Sequence, residues 1–360
     1  MRKLASVEII DKLEPIPNAD RILKATVKGW ECVVSKSDNF QQGDKVVYIE
    51  VDSVLPARPE FAFLKDRKYR VKTIKLRKQI SQGLVLPLSY LPNKEYAIGE
   101  DVTKTLNITK FDPQLEAENK IMEIATPKGR FAFLWKPLMR FRWFRRLYAK
   151  FHVQNEKFPT YIVAKTDEER WQNIISKLEQ WRYDNIPLTC TEKIDGCSST
   201  FFLDGNTFGV CSRNIWLRRE DNSPYWEVAR RFQIEEALKH IQDCFGFRKV
   251  VLQGEIIGQN IQANKYKISG YDFYAYNLIL DDIKVSQVKM EEILKEFHIK
   301  TVPVVYKYIN VPNDVQTLNT LASGKSVLLD TQEREGIVCR NYEQGISFKA
   351  ISPTFLLKEE

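Results

Sequence analysis

The tetrapeptide Lys193-Ile194-Asp195-Gly196 constrains the fold of this chain more than any other feature. It demands a turn that sets a lysine amine, a carboxylate and an unobstructed stretch of backbone side by side. A lysine amine attacks the α-phosphate of a nucleotide when it is deprotonated, desolvated and flanked by groups that neutralise the phosphate. A carboxylate on the same turn can hold a metal or its water shell, and a glycine lets the backbone approach the nucleotide. Alone, a K-x-D-G match is weak; its meaning depends on the residues downstream of it.

The 360 residues suffice for two domains, each with its own core. Hydrophobic residues at 43% and charged residues at 28% are ordinary for a soluble folded protein. The net charge of +8 fits a polyanionic partner or an unspecialised basic surface. Cys32, Cys190, Cys197, Cys211, Cys244 and Cys339 are scattered without a C-x-x-C pair. That spacing predicts neither a zinc site nor a disulfide framework, and points to a reducing compartment, cytoplasmic or nuclear. His152, His240 and His298 are too dispersed to suggest a metal cluster. No signal peptide and no membrane-spanning apolar run is seen.

Residues 1–110 read as β-rich, with runs such as Val46-Val47-Tyr48-Ile49 between turns such as Gln42-Gly43-Asp44-Lys45. Several short strands at close spacing predict a small barrel. The stretch Leu13 to Arg21, then Gly43-Asp44 and Asp52-Ser53-Val54-Leu55-Pro56, resembles OB-type nucleic-acid-binding modules. Lys65 to Lys78 carries eight basic residues and one acid. A strand there would set Lys68, Arg70 and Lys72 on one face, either a solvated face or a surface that tracks phosphates. Residues 111–155 form a connector whose segment Lys128–Lys150 holds eight basic residues, seven aromatics and no acid. It reads as an interdomain helix with snorkelling arginines, a single-strand grip, or a membrane-surface segment.

The remaining residues, 156–360, alternate apolar strands with helical patterns near 224–242 and 286–298, an α+β arrangement. Thr166-Asp167-Glu168-Glu169 predicts a capping box, followed by a helix burying Trp171, Ile174, Ile175 and Leu178. After Lys193 come Ser212-Arg213-Asn214, Gly254-Glu255 within a strand, and Tyr271-Asp272-Phe273-Tyr274-Ala275-Tyr276-Asn277. Arg334-Glu335-Gly336-Ile337-Val338 and Ser347-Phe348-Lys349-Ala350 close the series. In this order and spacing they resemble motifs I, Ia, III, IIIa, IV and V of the covalent nucleotidyltransferases, which comprise RNA and DNA ligases and capping enzymes.

Only eleven residues follow Lys349, too few for the C-terminal OB domain of DNA ligases and capping enzymes. The OB-like segment lies in front instead, which looks like the ATP-dependent RNA ligases with an N-terminal OB domain. The fold class expected is therefore an N-terminal β-barrel followed by an α+β nucleotidyltransferase domain. The resemblance implies an ATP- and Mg2+- or Mn2+-dependent enzyme joining RNA 3′-hydroxyl and 5′-phosphate ends through a lysyl-AMP at Lys193, in RNA repair; a monomer is expected. A DNA-sealing enzyme and a non-enzymatic RNA-binding protein on a decayed domain are the rival readings.

By resemblance, Asp195, Glu255 and Glu335 hold the hydrated metal and Lys349 neutralises the α-phosphate. Arg213 contacts the ribose or RNA end, Glu192 borders the nucleotide, and Arg170 meets the outer phosphates or pairs with a glutamate on its own helix. Phe273 and Val338 sandwich the adenine, unless Phe273 is core. Lys193 must be neutral to attack, so neighbouring cations and burial are expected to lower its pKa. Motif V departs from the usual K-x-K: Ser347 stands first, so phosphate neutralisation rests on Lys349 alone or on a cation from elsewhere.

Overall fold

The computed structural model describes residues 3–111, 155–166, 168–217, 223–312 and 314–358, with isolated positions between 137 and 144. The basic aromatic segment Lys128–Lys150 thus lies outside the described residues, apart from those isolated positions.

The N-terminal part is built on alternation. Strands β1 (Ala5–Ile9), β2 (Lys12–Pro15), β3 (Ile22–Val27), β4 (Trp30–Ser35) and β5 (Lys45–Ile49) are followed by β6 (Ser53–Val54), β7 (Ile74–Leu76), β8 (Gln79–Ser81) and β9 (Leu84–Pro87). One sheet runs β1-β5-β9 and a second β2-β3-β4. Period-2 side-chain geometry divides the first sheet between two cores. Val47, Ile49 and Val7 face one with Phe61 and Leu64, while Val46 and Tyr48 face the other with Trp30, Ala25 and Val34.

The expected cationic strand over Lys68–Lys72 is not formed. Pro59–Arg67 winds as a 3-10 segment, and Lys68 and Tyr69 take left-handed φ values of 54° and 59°. Arg70 turns to Asp52 at 2.6 Å and lies over the Phe111 ring, while Lys68 and Lys72 stay exposed. Only Val71 of this stretch is buried, so no apolar alternation holds it extended.

Strands β10 (Thr109–Lys110) and β11 (Asn155–Lys157) precede helix α1 (Ile175–Tyr183). Next come β12 (Pro187–Lys193), β13 (Cys197–Asp204), β14 (Thr207–Ser212) and β15 (Ile215–Leu217). Helices α2 (Pro224–Arg231) and α3 (Ile234–Phe245) lead to β16 (Lys249–Gly258), β17 (Tyr271–Leu280) and β18 (Ile283–Lys284). The chain ends through α4 (Gln287–Lys295), β19 (Lys300–Thr301), β20 (Val304–Asn310), α5 (Val315–Ala322), β21 (Gly336–Asn341), β22 (Ile346–Ile351) and α6 (Pro353–Lys358). The helical pattern near 224–242 is two helices, broken at Gln233, which takes a left-handed φ of 49°.

Two sheets result. The larger runs β11-β15-β14-β13-β16-β17-β18, with β19 parallel to β17; the smaller runs β20-β12-β21-β22. Helices α2, α3 and α4 cover the larger sheet through Trp226, Leu238 and Met290. Trp171, Leu178 and Leu318 cover the smaller one. Helix α6 packs against β8, joining the two parts of the chain.

Two sequence expectations fail here. Residues 168–170 are not helical: Thr166 Oγ1 lies 3.1 Å from the Tyr276 hydroxyl, and Arg170 bridges to Lys349. The buried face at Trp171, Ile174 and Leu178 does form, but on a later start. Cys190 and Cys339, 149 residues apart, stand opposite each other on β12 and β21 with Cα atoms 4.1 Å apart, and their sulfurs are bonded. A cross-strand pair created by folding has no spacing signature. Among the described residues, no helix is long and apolar enough to cross a membrane.

Candidate active site

Between the two sheets lies a cavity of about 420 Å3, walled by β12, β21 and β22 on one side and β13, β16 and β17 on the other. Lys193 is the last residue of β12, so its backbone is fixed by pairing with Gly336 while its amine reaches beyond the sheet. The turn then brings Gly196 against β16, where a Cβ would run into the Ile256 carbonyl oxygen. Gly196 N–H donates to Glu255 Oε1 at 3.1 Å. The glycine of the tetrapeptide is therefore needed for a close strand approach that seats Glu255 under the lysine.

Lys193 Nζ donates to Glu335 Oε2 at 2.6 Å, with about a quarter of the side chain exposed. Burial by itself would lower its pKa, but Glu335, Glu255 and Asp195 together outweigh that and raise it. This reverses the expected direction: the charges around the amine are carboxylates, not cations. Burial in turn pushes Glu255 up to about 8 and raises Glu335, partly because each faces the other acids of the site. The Asp195 carboxylate meets Lys265 Nζ at 2.5 Å, and its backbone N–H donates to the Tyr266 hydroxyl.

Asp195, Glu255, Glu335, Lys193, Lys349, Arg213, Val338 and Glu192 all line the cavity. Glu192 is 1% exposed, accepts the Val327 N–H at 2.7 Å, and has its pKa raised by burial. Arg170 is not in the cavity wall; its Nη1 donates to Thr73 Oγ1 of the N-terminal part at 3.5 Å. It precedes the helix with which it was expected to pair.

Phe273 is the clear correction. It is fully buried, edge-on to Phe201, and packs among the residues under α2 and α3. Register explains why: Glu255 pairs with Tyr274, so Tyr274 and Tyr276 share its face while Phe273 and Ala275 point the other way. Tyr276 lines the cavity in its place, hydrogen-bonded to Ser198 at 2.6 Å. Strand parity within the quoted heptapeptide carried this signal.

Sequence reasoning missed Thr166, Ser198, Glu168 and Arg340, all in the cavity wall. Among the described residues, no three His, Cys, Asp or Glu side chains gather closely enough to ligate one metal directly. An all-oxygen set of separated carboxylates suits instead a hard cation that keeps its water shell.

An RNA ligase family model matches residues 186–351, and an OB-fold domain model matches residues 4–88. No curated protein matches. Solved structures of the Naegleria gruberi RNA ligase match end to end. An apo aspartate-to-alanine variant gives a TM-score of 0.71 at 30% identity, covering 99% of this chain and 98% of that one. A lysine-to-alanine variant with ATP and Mn gives 0.72 at 30% identity over 99% of both chains. The form with PPi gives 0.71 at 30% identity over 100% and 99%. With an OB-fold domain in front and the cavity-bearing domain behind, the chain belongs to the RNA ligase family.

Proposed function

We propose that this RNA ligase uses ATP and a divalent metal, Mg2+ or Mn2+, to join RNA 3′-hydroxyl and 5′-phosphate ends through a lysyl-AMP at Lys193. We place it in RNA repair, acting as a monomer in the cytoplasm or nucleus. The observation that carries this reading is the Lys193 amine held 2.6 Å from Glu335 inside a cavity also walled by Asp195, Glu255 and Lys349. The similarity to structures solved with ATP and Mn, and with AMP and Mn, supports the choice of nucleotide and metal.

Lys193 must first lose a proton, and Glu335 is the carboxylate placed to take it. The neutral amine attacks the α-phosphorus, the bond to the β-phosphate oxygen breaks, and pyrophosphate leaves. The AMP then passes to an RNA 5′-phosphate, whose oxygen displaces the lysine. Finally a 3′-hydroxyl attacks that phosphate and AMP leaves. Lys349 neutralises charge at the α-phosphate, and Val338 and Tyr276 from opposite walls take the two faces of the adenine. A hydrated divalent cation held by Asp195, Glu255 and Glu335 would supply the positive charge that lets the lysine shed its proton.

The test is incubation with α-labelled ATP and Mg2+ or Mn2+. Covalent label on the chain, lost in Lys193→Ala, is expected; no label under either metal overturns the reading. Sealing of all-RNA, all-DNA and mixed strands then separates an RNA from a DNA substrate.

A further inference from the structure

We propose that Lys265 is the resident counter-ion of Asp195 and sets how tightly this site binds its divalent cation. This rests on the reading above that Asp195 helps to hold the hydrated metal.

Two ammonium groups already occupy carboxylates of the site. Lys193 Nζ donates to Glu335 Oε2 at 2.6 Å, and Lys265 Nζ donates to Asp195 Oδ2 at 2.5 Å. The first pair dissolves in the reaction, because Lys193 must lose its proton to attack. Lys265 is under no such demand, so its charge stays beside a carboxylate that the cation needs. The Asp195 side chain is 13% exposed and that of Lys265 22%. Charges so placed are screened by salt much less than surface pairs are.

The contact is built into the fold. Lys265 lies on the loop between β16 and β17, where Gln262, Ala263 and Asn264 take left-handed φ values of 44°, 55° and 49°. Consecutive non-glycine residues in that region are costly and persist only where the surroundings over-determine them. The Asn264 side chain donates to the Ile268 carbonyl and accepts the Ile268 N–H, both at 3.0 Å. The Asp195 N–H donates to the Tyr266 hydroxyl at 3.0 Å, which ties the turn of the tetrapeptide to the same loop. On α6, the centre of the Phe355 ring lies 4.6 Å from the Lys265 ammonium.

Asp195 lines the cavity, as does Gln262 of the loop, but Lys265 does not. The lysine therefore meets the carboxylate from outside the nucleotide space, and its effect on a metal passes through Asp195. A metal-bound water would have to share that carboxylate with an ammonium whose charge opposes a second cation. The empty site then binds a divalent cation weakly. The phosphates of the nucleotide supply the missing negative charge, so metal and nucleotide load together.

The experiment titrates the nucleotide-free protein with Mn2+ and reads the free ion by electron paramagnetic resonance. K265M removes the charge at similar side-chain length and should bind Mn2+ about tenfold more tightly than the wild type. K265R keeps the charge and should stay within about threefold of the wild type. A merely structural lysine predicts the opposite sign, since disturbing the Asp195 turn would loosen the metal. Unchanged or weaker Mn2+ binding in K265M of unaltered melting temperature overturns the proposal. If K265M melts lower, K265Q decides, because its amide can still donate to Asp195 without the charge. Tighter Mn2+ binding is expected there too, and unchanged or weaker binding overturns the proposal. Where the nucleotide-free chain binds too weakly to read, the titration is repeated with α,β-methylene-ATP, which cannot release pyrophosphate. The same order of variants is expected, and any other order overturns the proposal. D195N separates this inference from the reading it rests on. If D195N leaves Mn2+ binding unaltered, Asp195 holds no metal and both fail; if D195N weakens it while K265M does not strengthen it, only this inference fails.

Discussion

The two halves of the chain use charge in opposite ways. In the N-terminal barrel the cations are outside: Lys68, Lys72, Arg77 and Lys78 are exposed, and the Lys94–Glu100 pair sits in solvent. Exposed pairs of this kind contribute little to stability and are screened by salt. In the cavity of the ligase domain, Lys193, Glu335 and Glu255 are held close together and mostly buried, and each shifts the others' protonation. Surface charge tunes how long a polyanion stays; enclosed charge decides which bonds form. The two regions should therefore fail differently when altered.

The largest effect is expected at the nucleophile. Lys193→Ala should lower self-adenylylation by at least about 10^4-fold, measured by covalent label from ATP. RNA affinity, measured by salt-dependent binding, should stay near that of the wild type because the barrel is untouched. A comparable loss of RNA binding would break the division of labour. Next comes Glu335→Ala, expected to cost about 10^2- to 10^3-fold in adenylylation. Full adenylylation of that variant across a metal titration would remove Glu335 from both the proton-accepting and the metal-holding roles.

Reversing the barrel's surface charge tests the other side. Lys72→Glu, Arg77→Glu and Lys78→Glu together should weaken RNA binding about tenfold and flatten the log Kd against log salt slope by roughly two to three. Self-adenylylation should change less than about twofold, since these charges are exposed to solvent and screened by salt. If ATP affinity falls while RNA binding holds, the barrel orders the nucleotide site and the comparison is wrong.

The same contrast explains what could be read from the sequence. Lys193, Asp195, Glu255, Glu335 and Lys349 were singled out in the sequence by their resemblance to a known motif series, and the fold brings all five to one cavity. The two-part β and α+β order was legible in the strand and helix patterns of the two parts. Phe273 was misassigned because a one-residue change of parity exchanges cavity and core, and β17 is apolar on both faces. Glu168 and Arg340 were invisible: they lie 172 residues apart and meet only through the pairing of β21 with β22 and an extended segment that locally reads as a helix start. The Lys68–Lys72 strand failed because solvent-exposed charge does not dictate backbone conformation.

The smallest effect concerns the seam between the halves. Arg170, which sequence resemblance placed on the outer phosphates, donates to Thr73 Oγ1 at 3.5 Å, the long limit for a hydrogen bond. Its neighbour Glu169 accepts the Lys349 N–H at 2.7 Å through its backbone carbonyl. The segment carrying Arg170 thus touches the barrel on one side and the strand bearing Lys349 on the other. A contact this long contributes less than about 1 kcal/mol, so Thr73→Val should leave the KM for ATP within about threefold and RNA affinity unchanged. Arg170→Ala separates the roles: if the arginine is only a strut, it should mimic Thr73→Val. If it reaches the outer phosphates once ATP is bound, KM for ATP should rise about tenfold or more while Thr73→Val remains silent. A rise in both variants would mean that docking of the barrel closes the nucleotide site, and the surface and the cavity would then be one device rather than two.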